Sequence, residues 1–203
     1  MKAKDFRNVA WSGLKGNWGI AIGATLVYAL IGGALCWTGV GTLLLNGALM
    51  VGIYGVMLSI LRGKASFGEL FGGFKNFGTN LVAGILHPLF IALWTLLFIV
   101  PGIIKTYSYA MTFFILKDHP EMSAKQAITE SRKMMDGNKW RLFCLHFSFI
   151  GWILLCMLTF GILTIWVIPY MYAADAAFYE SLKAERAEAP ADAEETPAEE
   201  TAV

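Results

Sequence analysis

The sequence predicts an all-α polytopic membrane bundle: six transmembrane helices, three amphipathic helices on the cytoplasmic face and a threefold internal repeat. Three observations predict it. Of the 203 residues, 57% are hydrophobic and only 15% are charged, against roughly 25% charged in soluble domains. The charge deficit lies in long apolar runs, which is how a lipid-facing chain is written. Before each pair of runs, a shorter segment carries apolar residues at helical spacing.

The first such segment is Ala3 to Lys15. Ala3, Phe6, Val9, Ala10, Gly13 and Leu14 fall on one side, and Lys4, Arg7, Asn8 and Lys15 fall elsewhere. A helix of this kind is expected in the headgroup plane, with Gly16 as its stop. Trp18 to about Leu35 and Val40 to Leu61 are long enough to cross a core of roughly 30 Å at about 1.5 Å per residue. Gly19-x-x-x-Gly23, and Gly52 with Gly55, are candidate close-packing positions.

Ser66-x-x-Glu69 reads as a capping box. It opens a second amphipathic helix with Phe67, Leu70, Phe71 and Phe74 on one stripe. A third crossing, Gly78 to Val100, contains His87-Pro88, where proline is expected to kink the helix. Pro101-Gly102 reads as the tightest reversal, and a short fourth crossing covers Ile103 to Lys117. Ser123-x-x-Gln126 is another capping box, opening a third amphipathic helix to Asp136, with Gly137 as its terminator. Ala124, Ala127, Ile128, Ser131, Met134 and Met135 share one face of that helix. The fifth and sixth crossings run from Asn138 to about Phe160 and from Ile162 to about Leu182, with Pro169 and Asp175 in the last.

Residues 1–183 thus form one membrane domain, with repeat-like units at about 1–62, 63–118 and 119–183. Asn17, Asn76 and Asn138 mark the units at spacings of 59 and 62 residues. Tyr54, Tyr109 and Tyr172 each stand eight residues before a charged side chain, Arg62, Lys117 and Glu180. Residues 184–203 are Ala/Glu/Pro-rich with a net charge of −6, and are expected to be disordered. The remainder carries +7, which suits an anionic membrane surface. No compact basic domain points to nucleic acid. No secretory leader is expected, because the first apolar run continues too far and no small-residue cleavage site follows it. Fifteen of the sixteen Lys and Arg lie on one side if there are six crossings, so both termini are expected in the cytoplasm. Lys105 is the exception, near the opposite loops.

The runs PGIIKTYSYAMTFFIL, SAKQAITESRKMMDGNKWRLFCLHFSFIGWILL and PYMYAADAAFYESL resemble the bacterial membrane family catalogued as domain of unknown function 975. The resemblance covers roughly residues 1–183 and implies a six-helix, multi-pass protein of the bacterial inner membrane. The chain also looks distantly like the membrane domain of some glycerophosphodiester phosphodiesterases, without their catalytic part. The family brings no established activity.

Five polar residues inside the crossings are candidates for a site. Asp175 sits among alanines and is either part of a transport or ligand site or an acid that meets water or a neighbouring base. Lys105 is either a headgroup ligand or a snorkelling anchor, with Tyr107 and Tyr109 as belt residues. His87, His146 and Asn46 read first as interhelix hydrogen-bonding groups, with no metal-ligand spacing. Cys36, Cys144 and Cys156 read as small apolar-run residues. No phosphate loop, HExxH or serine elbow appears, so no cofactor and no enzymatic chemistry is expected. The remaining enzymatic alternative is a site assembled from isolated polar residues. The leading expectation is a non-enzymatic component that organises membrane lipids or a protein partner at the cytoplasmic leaflet. The alternative is a small transporter or export permease for a lipid-like or amphipathic substrate.

Overall fold

The computed structural model describes residues 2–36, 40–97 and 99–188, and these residues are helical with no strand among them. Helix α1 (Ala3–Leu14) turns through 99° into α2 (Trp18–Cys36), and α3 (Val40–Leu61) follows. A 3₁₀ helix (Phe67–Phe74) leads to α4 (Phe77–Leu97). Then come α5 (Ile99–Tyr109), α6 (Thr112–Asp118), α7 (Ala124–Met134), α8 (Lys139–Phe147), α9 (Ile150–Leu158) and α10 (Thr164–Glu188). Two of the helix stops read from sequence hold: Gly16 at φ 85° and Gly137 at φ 73° adopt the left-handed backbone that ends α1 and α7. The side chain of Cys36 and the far part of the acidic tail lie outside the described residues.

Three segments are long and apolar enough to cross a membrane: Leu44–Leu61, Phe77–Leu96 and Lys139–Leu158. The bent α1–α2 pair makes a fourth if it is counted as one span. The expected fourth crossing is interrupted between α5 and α6. The expected tight reversal at Pro101-Gly102 is corrected, since both residues lie within α5. Pro101 occupies its first turn, where a missing N–H costs nothing. Gly102 lets α5 approach α4, because a Cβ there would crowd Thr95.

Helix α3 is the hub, packing against α2, α4, α6, α10 and the 3₁₀ helix. Two glycines make the contact with the 3₁₀ helix possible. A Cβ on Gly52 would overlap the Leu70 carbonyl, and one on Gly73 would overlap the Ala48 carbonyl. The Gly19-x-x-x-Gly23 pair does not act this way. Gly19 has nothing within 4 Å, and Gly23 meets only the Phe67 ring at 3.7 Å. Around the other side of α3, Tyr54 lies 4.2 Å from Phe114 and 5.7 Å from Tyr172, and Phe114 stacks on Tyr179 at 5.2 Å.

The three amphipathic segments differ in how they use their apolar faces. Helix α1 buries Phe6, Ala10 and Leu14 against α10, α3 and α8, so this face meets protein. The second segment is 3₁₀ rather than α, and the expected Ser66–Glu69 capping box does not form. Instead, Glu69 pairs with Lys117, and the Ser66 amide donates to Ser59 Oγ at 3.3 Å. Only Leu70 of its stripe is buried. Phe67, Phe71 and Phe74, joined by Phe77, stay exposed, with Phe74 stacked on Phe77 at 6.2 Å.

Helix α7 forms its capping box as expected: the Gln126 amide donates to Ser123 Oγ at 3.4 Å, and the Ser123 amide donates to Gln126 Oε1 at 2.8 Å. It buries the predicted face, and Ser131 on that face has a specific task. The chain leaves helical geometry between α5 and α6, which frees backbone groups in an apolar setting. The Met111 amide donates to Ser131 Oγ at 3.2 Å, and the Ser131 hydroxyl donates to the Ser108 carbonyl at 2.9 Å. One side chain therefore satisfies both sides of the break.

Two measurements check this packing in detergent-purified protein. Ser131→Ala orphans a buried amide and is expected to lower stability by about 1–3 kcal/mol, read as a fall in thermal midpoint. Gly52→Ala is expected to cost a similar roughly 1–3 kcal/mol through overpacking. Gly19→Ala, with open space around it inside α2, does not lower the midpoint and should raise it slightly, because alanine is the better helix former.

Candidate functional site

Four of the five candidate polar residues line one cavity of about 220 Å³. Asn46 comes from α3, His87 from α4, His146 from α8 and Asp175 from α10; Tyr54, Pro88 and Thr106 also line it. His146 Nε2 lies 2.9 Å from Asp175 Oδ1. The neighbouring base anticipated for Asp175 is thus a histidine 29 residues earlier in the chain. His87 packs 5.1 Å from the Phe113 ring and 6.2 Å from the Tyr109 ring. The imidazole–carboxylate pair can hold a proton, and the Asn46 amide can both donate and accept. The Thr106 hydroxyl donates to the Gly102 carbonyl at 3.0 Å. No group of three His, Cys, Asp or Glu among the described residues is placed to hold a metal ion.

Lys105 stands elsewhere. It lines a separate basic pocket of about 360 Å³ with Ser108 of α5, with Thr129, Arg132, Lys133 and Asp136 of α7 and the turn after it, and with Lys139 of α8. Its ammonium sits 4.6 Å from the Trp94 ring centroid. The expectation that Lys105 faces away from the basic loops is corrected. Helix α7 packs at the α5–α6 break, which brings Arg132 and Lys133 beside Lys105. The two tyrosines part company: Tyr109 is buried and cannot serve as a belt residue, while Tyr107 is half-buried. Tyr107 lies 5.8 Å from the His146 ring and 6.0 Å from Phe143, while Tyr109 is buried against His87 and Phe90.

A third polar group sits where the ends of α3 and α6 meet the later turns of α10. Arg62 donates to both oxygens of Asp118, at 2.9 and 2.7 Å, and to Glu180 at 2.8 Å. Lys183 and the Tyr179 hydroxyl also donate to Asp118 Oδ2, at 2.7 and 3.2 Å. The Tyr-to-charge spacing marked Arg62 and Glu180 but carried no sign of Asp118, whose side chain is only 7% exposed. Burial pushes the Asp118 carboxyl up, but the hydrogen bonds from Arg62 and Lys183 outweigh it and hold the group at about 2. A carboxylate depressed in the folded state stabilises it above the unfolded value of about 4, and the contribution disappears as pH falls through about 2. The thermal midpoint is therefore expected to drop between about pH 4 and pH 2. Asp118→Asn should start lower and lose that part of the slope. An unchanged slope in the variant would show that Asp118 does not set the acid response.

Residues 96–186 match the family model described as Protein of unknown function (DUF975), the family that the sequence motifs resemble. The match begins at Leu96 rather than near the N-terminus, so it takes in Lys105, Arg132, His146 and Asp175 but neither Asn46 nor His87. No curated protein and no solved structure matches the chain.

Proposed function

We propose that the chain is a six-crossing, non-enzymatic protein of the bacterial inner membrane, with both termini cytoplasmic, that holds lipid at the cytoplasmic leaflet. A protein partner at the same face is the other form of this reading. The single observation that carries it is the exposed ridge of Phe67, Phe71, Phe74 and Phe77, flanked by exposed Lys64 and Lys75. Aromatic side chains beside lysines are suited to an anionic lipid interface, and a contiguous apolar ridge of this kind is unusual on a surface meeting only water.

A threefold repeat fits the way the elements pack. Helix α1 lies on α10, the 3₁₀ helix on α3 and α7 on α6, so each surface segment rests on the last helix of the preceding unit, taken cyclically. Asn17 and Asn138 repeat one local bond, each amide donating to the carbonyl four residues earlier at 3.3 Å. Asn76 departs from this pattern and donates to the Pro120 carbonyl at 2.5 Å.

The transporter reading is favoured by a different observation, the His146–Asp175 bond in a cavity beside Pro88. Polar groups gathered between helices at a proline position are the kind of place where small permeases build binding sites. Native mass spectrometry of the full chain, released gently from its own membrane, separates the two. The leaflet reading expects retained lipid or protein that is depleted in Phe71→Glu and kept in Asp175→Asn. A retained small molecule lost from Asp175→Asn but not from Phe71→Glu would overturn it in favour of transport.

A further inference from the structure

The basic pocket at Lys105 has a composition that the polar cavity lacks. Four cations converge from three helical segments on about 360 Å³, against a single carboxylate in the wall, Asp136. Lys133 has a partner in Glu130 at 3.0 Å, whereas Lys139 lies 3.5 Å from an Asp136 side chain that is 84% exposed, a pair too loose to occupy its charge. Among the described residues, neither Lys105 nor Arg132 has a carboxylate within salt-bridge distance. The two hydroxyls in the wall are already donating, Ser108 to the Ile104 carbonyl and Thr129 to the Lys125 carbonyl. Recognition at this pocket therefore falls to the cations, and the missing component is an anion.

The surroundings of the pocket say what carries that anion. Lys105 follows Ile103 and Ile104, which are 52% and 47% exposed, and its ammonium is held against Trp94, itself beside exposed Leu93. The charged pocket thus opens at the foot of an exposed apolar α4–α5 hairpin. A soluble anion would use the cations and leave that hairpin uncovered. A molecule with a phosphate at one end and hydrocarbon at the other would use both.

We propose that this pocket binds the phosphate of an anionic glycerophospholipid, with Lys105, Arg132 and Lys139 as its ligands and the acyl chains along Leu93, Ile103 and Ile104. The assignment rests on the leaflet reading above and names its lipid class and site. Helix α7 is the organising part, since the seating of Ser131 in the α5–α6 break is what sets Arg132 beside Lys105.

The test titrates the full-length protein, purified in a neutral detergent, with dioctanoyl-phosphatidylglycerol, dioctanoyl-phosphatidylcholine and inorganic phosphate. Saturable binding of the phosphatidylglycerol, weakened by salt, is expected, with none for the other two probes. Each cation near an anionic lipid contributes about fivefold in affinity, so Arg132→Gln combined with Lys139→Gln should weaken binding about 30-fold. Lys125→Gln, an exposed α7 cation outside the pocket, should leave it unchanged. Unaltered phosphatidylglycerol binding by the double variant would overturn this site while leaving the leaflet reading in place. Failure of wild-type protein to bind phosphatidylglycerol at all, or binding insensitive to salt, would overturn the assignment without recourse to any variant. Inorganic phosphate binding as tightly, with the same dependence on Arg132 and Lys139, would identify a free-anion site and overturn the lipid.

Discussion

Ser131 accepts from the Met111 amide and donates to the Ser108 carbonyl, and this pair of bonds organises the C-terminal half of the chain. Backbone groups freed from a helix in an apolar environment must find partners. Here the partner is a side chain from a different element, so α7 has to lie against the α5–α6 break. Two consequences follow. The basic side of α7 meets Lys105, and the chain enters α8 from a position that carries His146 toward Asp175. Both pockets thus descend from one interruption in an otherwise apolar segment.

The opposite strategy holds the N-terminal half together. There, α3 and the 3₁₀ helix approach so closely that Gly52 and Gly73 have room for no side chain. Contacts of this kind depend on shape alone and tolerate no extra atom. The inner helices α3, α6 and α10 are then tied together by Arg62, Asp118, Glu180 and Lys183. Arg62 and Asp118 have more than one partner each, and Asp118 is nearly buried, which distinguishes the cluster from an exposed ion pair of little consequence. Polar contacts at the helix ends and in the break, with apolar and glycine contacts between them, form a coherent division of labour for a chain this short of charge.

The amphipathic segments look alike as periodic patterns, yet they end in three different situations. Helix α1 turns its stripe into the bundle, α7 turns its own into a backbone break, and the 3₁₀ helix leaves three of its phenylalanines exposed. Period reports that a segment has two faces. Whether the apolar face meets protein or lipid depends on what else is near enough to cover it. The same limit explains the unformed Ser66–Glu69 capping box, since Lys117, 48 residues away in sequence, takes the carboxylate.

What the sequence determined by itself was local. Apolar runs set the helical, membrane-type character, Gly16 and Gly137 set two helix stops, Ser123 and Gln126 set a cap, and the α7 period set its buried face. It also supplied the set of polar residues worth watching, because a charge or imidazole in an apolar run is conspicuous wherever it ends up. Only the tertiary structure decided how that set divides. His146 joins Asp175 across 29 residues, while Lys105 leaves the group for Arg132 and Lys139. It alone distinguished Gly52 from Gly19, which are equivalent as letters. The reason is geometric: stops, caps and periods are properties of a few consecutive residues, whereas a contact between helices depends on the rotation and depth of both.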